Sequence, residues 1–222
     1  MRNLSVVDFQ RPLLAWGATI LGALPLSVRG FFKSFLSVVS ICIVAPLGLA
    51  ERAARGIFHR DVWFRTHGEF LGLVPGKFGR YLRNAYFWIT LQSCPLDCCF
   101  ILGSTFTQSD TVVGHRVYIG SYSRVGLATI GDDTVLGDHV HLLSGKHQHS
   151  FEDPLLRIQD QPQIFTRIYV GRNCWLGTNT VVMENIGCNC VIGASSVVTH
   201  VIPDNVIAVG NPARVLGPRP NL

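Results

Sequence analysis

The sequence predicts a mainly β protein: a parallel β-helix preceded by an α-helical, hydrophobic N-terminal region. Three observations carry this expectation. In the second half of the chain an aliphatic residue followed by glycine recurs about every six residues, a period that neither a helix nor a plain strand has. In the first half, two uncharged apolar runs of 17 residues span 12–28 (PLLAWGATILGALPLSV) and 34–50 (SFLSVVSICIVAPLGLA). Charge divides along the same line, with 11 Lys and Arg against 4 Asp and Glu in residues 1–90, and 8 against 10 in residues 91–222.

Composition removes several classes. Of 222 residues, 48% are apolar and 15% are charged, against about 25% charged in ordinary soluble domains. Disorder needs the opposite balance. The 22 glycines show no G-X-Y period, which excludes collagen. Seven cysteines are an odd number in a chain too long to need disulfide staples, so they are expected to be reduced and intracellular. The basic residues of the first half are interleaved with apolar runs and carry no zinc-finger, helix-turn-helix or RNP-like pattern. No nucleic-acid partner is expected.

Residues 1–100 therefore form a hydrophobic, basic, helical region with a membrane-associating or capping role. Each apolar run is near the lower limit of about 17–25 residues for a membrane span. The flanking Arg11, Arg29, Lys33, Arg52, Arg55 and Arg60 suit anionic headgroups on the cytoplasmic side. Arg29 and Lys33 lie between the runs, so two full spans would carry them to the far side. A shallow hairpin in one leaflet avoids that; burial of both helices against the protein or another subunit is the alternative. Membrane contact is expected through residues 12–50. No small-x-small site follows the first run, so no cleaved signal peptide is expected. Further on, Arg80, Tyr81, Arg83 and Phe87 suggest an interfacial amphipathic face, with Trp63 and Trp88 at headgroup level. The other reading is a cap over the first open turn of the repeat, which solenoids require.

The repeat occupies residues 101–222. Its pairs are Val113-Gly114, Ile119-Gly120, Val125-Gly126, Ile130-Gly131 and Leu136-Gly137, then Val170-Gly171, Leu176-Gly177, Ile186-Gly187 and Ile192-Gly193. Each six-residue step is one flat side of a triangular coil. The aliphatic residue points inward and stacks on its equivalent one coil away. Glycine follows where a side chain would collide or would need an unfavourable φ.

These features resemble the hexapeptide-repeat acyltransferases, and the resemblance covers about residues 100–218. It rests on IYVGRNCWLGTNTVV (168–182), VIGASSVVTHVIPDN (191–205) and the closing VIAVGNPARVLG (206–217). It implies a left-handed parallel β-helix, transfer of acetyl or related groups from coenzyme A to hydroxyls or amines, and a homotrimer with active sites between subunits. The repeat breaks after Leu142 and resumes at Val170, leaving an inserted loop 143–169. In the family such a loop carries the catalytic histidine. Here it holds His147 and His149, five and seven positions after Leu142. Sugar-acetylating members similar to this chain use the shorter offset in a Thr-Gly-x-His context, which Ser144-Gly145-Lys146-His147 resembles, and antibiotic-acetylating members use the longer one. Imidazole is a suitable base because it is substantially neutral near pH 7. Glu152, Asp153 or a backbone carbonyl would fix its tautomer.

The same resemblance places acetyl-CoA as co-substrate along the C-terminal coils. Trp175 and Thr178 would lie near the thioester, Ala194 and Ser195 along the pantetheine arm, and Thr199 and His200 beside it. Arg214 would meet phosphates. Relatives carry Lys where His200 stands, and the corner MENIG (183–187) is two residues shorter than their pattern. His115, His139 and His141 raise a zinc reading by likeness to β-helix carbonic anhydrases, and CPLDCC (94–99) raises another. Neither has matching ligand spacing, so no metal is expected, and Cys174, Cys188 and Cys190 read as packing thiols. The expected function is O-acetylation of a sugar hydroxyl on a surface polysaccharide or its lipid-linked precursor, at the cytoplasmic side of the inner membrane. The rivals are acetylation of a small soluble acceptor and a non-catalytic trimeric scaffold.

Overall fold

A computed structural model describes residues 28–55 and 61–220. The first apolar run, residues 12–28, falls outside them apart from its last residue. Three helices come first: α1 (Val28–Ala54), α2 (Val62–Gly72) and α3 (Gly76–Thr90). The rest is a three-sided coil of short strands.

The first sheet joins β1 (Cys99–Phe100), β4 (Tyr118–Ile119), β7 (Val135–Leu136), β10 (Trp175–Leu176), β12 (Val191–Ile192) and β14 (Val206–Val209) in parallel. β15 (Arg214–Pro218) closes it in antiparallel pairing with β14. The second sheet joins β2 (Thr105–Phe106), β5 (Arg124–Val125), β8 (His141–Leu142), β11 (Val181–Val182) and β13 (Val197–Val198). The third joins β3 (Val112–Val113), β6 (Ala128–Ile130) and β9 (Ile168–Val170), continued by bridges from Val170 to Ile186 and from Ile186 to Ile202.

The repeat residues form three buried columns. Phe100, Ile119, Leu136, Leu176, Ile192 and Ala208 stack under the first sheet; Phe106, Val125, Leu142, Val182 and Val198 under the second; Val113, Ile130, Val170, Ile186 and Ile202 under the third. Each buried aliphatic side chain contributes about 1.5–3 kcal/mol over its exposed state. The short corner after Val182 is matched one coil later, where Ile202 also follows Val198 by four residues. Because both coils shorten alike, the third column stays in register.

The corner glycines separate the two reasons offered for them. None of those that directly follow an inward aliphatic residue has positive φ; a left-handed position commonly comes two residues later, as at Asp133, Asn173, Asn179 and Asn189. Asn and Asp tolerate that conformation. Glycine is required by contact instead: a Cβ on Gly171 would lie 2.5 Å from the Cys188 nitrogen and 2.6 Å from the Gly187 carbonyl carbon. The left-handed asparagines form a ladder, Asn173 Nδ2 donating to Asn189 Oδ1 and Asn189 Nδ2 to Asn205 Oδ1, each at 3.0 Å. Cys98, Cys174 and Cys190 are buried at corners, their thiols donating to the carbonyls of Gly114, Gly187 and Pro203 at 3.0–3.2 Å. Thr134 does the same with its hydroxyl toward Gly171 at 2.8 Å, so a thiol substitutes for a hydroxyl on this ladder.

The helices overturn one expectation. Arg83 and Phe87 are 1% and 0% exposed, so they do not belong to an interfacial face. Phe87 meets Phe106 at 4.7 Å and Phe100 at 5.4 Å between ring centroids, plugging the first coil. Arg83 Nε donates to the Phe100 carbonyl at 3.1 Å, and Nη1 to those of Leu71 at 3.0 Å and Val74 at 2.8 Å. It thus ties the end of α2 to the coil. Burial lowers its pKa to about 10, and it remains charged at neutral pH. Trp88 is half-buried and packed on the core, not set at a surface; Trp63 is exposed. Residues 62–90 pack on the first coil.

Two changes test this frame by thermal unfolding. Gly171→Ala is expected to lower the melting temperature sharply, whereas Gly217→Ala, with open space around its Cβ position, leaves it unchanged. Arg83→Leu strands several buried carbonyls and is expected to destabilise by about 3 kcal/mol.

Candidate active site

The coil is interrupted once at length, between β8 and β9. The excursion leaves at the exit edge of the second sheet, and its two legs pair antiparallel. Thr166 N donates to Ser144 O at 2.9 Å, Ile164 N to Gln148 O at 3.2 Å, and Ser150 N to Pro162 O at 3.1 Å. It is therefore an arm spanning 143–167, two residues shorter than the break in the repeat implied, since β9 begins at Ile168. Gly145 starts it with φ +86, against Thr166. At its tip the buried Gln161 side chain donates to the carbonyls of Asp153 at 2.9 Å and Leu156 at 3.2 Å. At its return Arg167 donates to the Asp110 and Ala128 carbonyls at 2.8 and 3.2 Å, pinning the second leg to the third sheet.

His147 and His149 are both exposed on the outgoing leg. His149 faces a shallow groove with Arg157, Ile158 and Gln159, and its Nδ1 lies 3.5 Å from Gln163 Nε2. Glu152 and Asp153 do not serve the imidazoles: both are exposed, and Asp153 Oδ1 instead accepts from Leu155 N at 2.9 Å. An ion pair holds the arm's base to the next coil, Lys146 Nζ to Glu184 Oε2 at 3.1 Å. The Asn185 backbone N–H, and then Lys146, hold the Glu184 carboxyl below its usual pKa.

Five of the coenzyme candidates cluster by topology. Thr178, Ala194 and Ser195 lie on the turns entering β11 and β13, where Ser195 N donates to Thr178 O at 2.8 Å. Thr199 and His200 lie on the turn leaving β13, with Thr199 Oγ1 2.9 Å from His200 Nδ1. They thus line both edges of the second sheet in the last two coils. The arm departs from its exit edge one coil before Glu184 and two before His200. Trp175 stands elsewhere, exposed on the outer side of the first sheet, and Arg214 is exposed at the start of β15.

The zinc candidates do not come together. His115 Nδ1 contacts Asp97 Oδ2 at 3.0 Å, while His139 stacks on Tyr122 at 5.5 Å. Among the described residues no group of three or more His, Cys, Asp or Glu is placed to hold a metal ion. All seven cysteines are free of disulfides.

A maltose O-acetyltransferase from Clostridium difficile 630 aligns with a TM-score of 0.51 at 23% identity, over 72% of this chain and 87% of its own. This chain has the left-handed β-helix fold of the hexapeptide-repeat acyltransferases. An N-acyltransferase from Bacillus cereus, solved with dTDP-4-amino-4,6-dideoxyglucose and coenzyme A, aligns at a TM-score of 0.48 and 15% identity, over 56% of this chain and 71% of its own. In sequence, a probable acetyltransferase of Mycobacterium tuberculosis is 33% identical over 116 residues, 51% of this chain. The chain spans 37% of that relative's length. No family model matches the chain. Within this fold, sequence reasoning missed the Lys146–Glu184 clamp, Gln161 and Arg167. Only Lys146 carried a signal, as part of the Ser-Gly-Lys-His stretch.

Because the Glu184 pKa is lowered, the clamp is intact above the ordinary carboxylate range and is lost as pH falls through the lowered value. Amide exchange in residues 144–166 is therefore expected to stay slow through the ordinary carboxylate range and to accelerate only at more acid pH. Glu184→Gln is expected to produce the same acceleration at pH 7 while strands β10 to β13 keep their protection.

Proposed function

We propose that this chain is an acetyl-CoA-dependent O-acetyltransferase, acting on a sugar hydroxyl of a surface polysaccharide or its lipid-linked precursor. The observation that carries the proposal is the arm with its two exposed imidazoles. It is clamped at the edge of the second sheet, the sheet whose last turns hold Thr178, Ala194, Ser195, Thr199 and His200. The 33%-identical probable acetyltransferase supports the acetyl group. The long apolar helix supports an acceptor held at the membrane.

The chemistry needs one proton carrier. An arm imidazole, His147 or His149, accepts the proton of the acceptor hydroxyl as its oxygen attacks the thioester carbonyl. The tetrahedral intermediate bears an oxyanion, which backbone N–H groups stabilise. It collapses to the ester and expels the coenzyme A thiolate, which takes the proton back from the imidazolium. No covalent enzyme intermediate is required. Trp175 and Thr178 would in this reading lie near the thioester, Ala194 and Ser195 along the pantetheine arm with Thr199 and His200 beside it, and Arg214 at the phosphates. In this reading the protein is a homotrimer, with each arm reaching a neighbour's edge, at the cytoplasmic side of the membrane.

Thiol release from acetyl-CoA, with lipid-linked and free saccharides as acceptors, tests this. Replacing the base histidine by alanine is expected to lower kcat/KM by about 10²–10⁴, and replacing the other to raise KM for the acceptor. Unchanged turnover in the double variant His147→Ala/His149→Ala overturns the mechanism. A marked preference for free over lipid-linked sugar overturns the acceptor assignment.

A further inference from the structure

α1 has two unlike faces. Ser40, Val44, Gly48 and Glu51 form one buried stripe against α3. A Cβ on Gly48 would lie 2.7 Å from Ile89 Cγ2, so the two helices touch there without room to spare. Glu51 is 3% exposed and pairs with Arg55 at 2.9 Å, while Arg55 also donates to the Thr90 carbonyl. On the opposite side Phe31, Phe35, Val38, Cys42 and Leu49 are exposed, with Phe32 and Ile43 beside them.

We propose that this outward face lies in the plane of an anionic lipid surface, so that α1 rests in one leaflet and does not cross the bilayer. The stretch Gly30–Ala54 has a mean hydropathy of 1.9 over its most apolar window, yet only 17% of that window is buried in the protein. A core helix of such composition would be enclosed. In length it suffices to cross a membrane, but crossing is incompatible with its packing. Leaving α3 would uncover Val44, Ile89 and the buried Glu51. Taking α3 along would draw Lys77, Arg80 and Arg83 into hydrocarbon, at a large cost for each charge. α3 is also fixed to the coil through Arg83 and Phe87.

An amphipathic helix in the interfacial plane meets neither obstacle, because only its outer face enters, to about 5–10 Å. The charges fit an anionic surface: Lys33 and Arg52 are exposed near the two ends of α1. Residues 1–90 as a whole carry 11 cationic against 4 anionic side chains. The uncharged run of residues 12–28 leads directly into this helix, extending the apolar segment in sequence. The inference concerns how the chain is seated and rests on no step of the acyl transfer.

The test uses the full chain and vesicles of phosphatidylcholine with or without phosphatidylglycerol. Cys42 is exposed at the midpoint of Gly30–Ala54, so a fluorophore there reports depth, with Cys99 and Cys188 changed to serine. The protein is expected to float with the anionic vesicles and weakly with neutral ones. The label is expected to be quenched most by bromines placed near the headgroup end of the acyl chains. Phe35→Glu/Ile43→Glu is expected to reduce vesicle binding at least about tenfold, with circular dichroism and thiol release from acetyl-CoA unchanged. Strongest quenching by bromines at the bilayer centre would mean a spanning helix and overturn the proposal. Failure to float, or equal flotation of the variant, overturns it too. So does a loss of oligomer mass in the variant without any vesicle binding by the parent, which would assign the face to a second copy of the chain.

Discussion

Successive coils approach so closely at their corners that a single methyl group has no room, and the rest of the molecule follows from that contact. Gly171 against Cys188 and Gly177 against Ala194 bring backbone to backbone. That approach lets strands of two residues form continuous parallel ladders, each too short to be stable alone. The three apolar columns fill the interior, and the left-handed positions in the later coils include Asn173, Asn179, Asn189 and Asn205, whose short polar side chains tolerate that conformation. A solenoid built this way has edges at fixed spacing, and the arm is anchored to one of them through Lys146–Glu184 and Arg167.

The two ends of the coil are managed differently. At the C-terminal end β15 turns back on β14 and pairs with it antiparallel. At the N-terminal end α2 and α3 cover the first turn and α1 packs behind them on α3, with Phe87 inserted against Phe100 and Phe106 and a buried guanidinium bridging helix to coil. The cap thereby couples two surfaces of distinct character, the apolar outer face of α1 and the edge that carries the arm. Under the proposed function and seating, these two surfaces would belong to one body, and local concentration of a lipid-carried acceptor would replace intrinsic affinity.

Much of this was legible in the residues. The six-residue period marked the inward positions of all three columns, because a solenoid repeats its local environment and so repeats its side chains. The arm was visible as the gap in that period, and its histidines as the groups of suitable chemistry within it. The coenzyme candidates came from motif likeness, and the fold places five of them at the two edges of one sheet. The readings that failed concern side chains whose environment is set by distant segments. Arg83 has the spacing of a surface residue on α3, yet the carbonyls of Leu71, Val74 and Phe100 collect around it. Glu152 and Asp153 follow the histidines closely in sequence, but the antiparallel legs place Gln163 beside His149 instead.

By itself, then, the sequence determined the coil, its core columns and the place where the coil opens, since each of these is a periodic property or a break in one. Three-dimensional packing alone decided that glycine answers a steric contact and not a dihedral requirement, that Lys146 meets Glu184 across a coil, and that one face of α1 is covered while the other is not. These depend on distances between segments far apart in the chain. No local pattern encodes a distance that is fixed only after every coil between has been stacked.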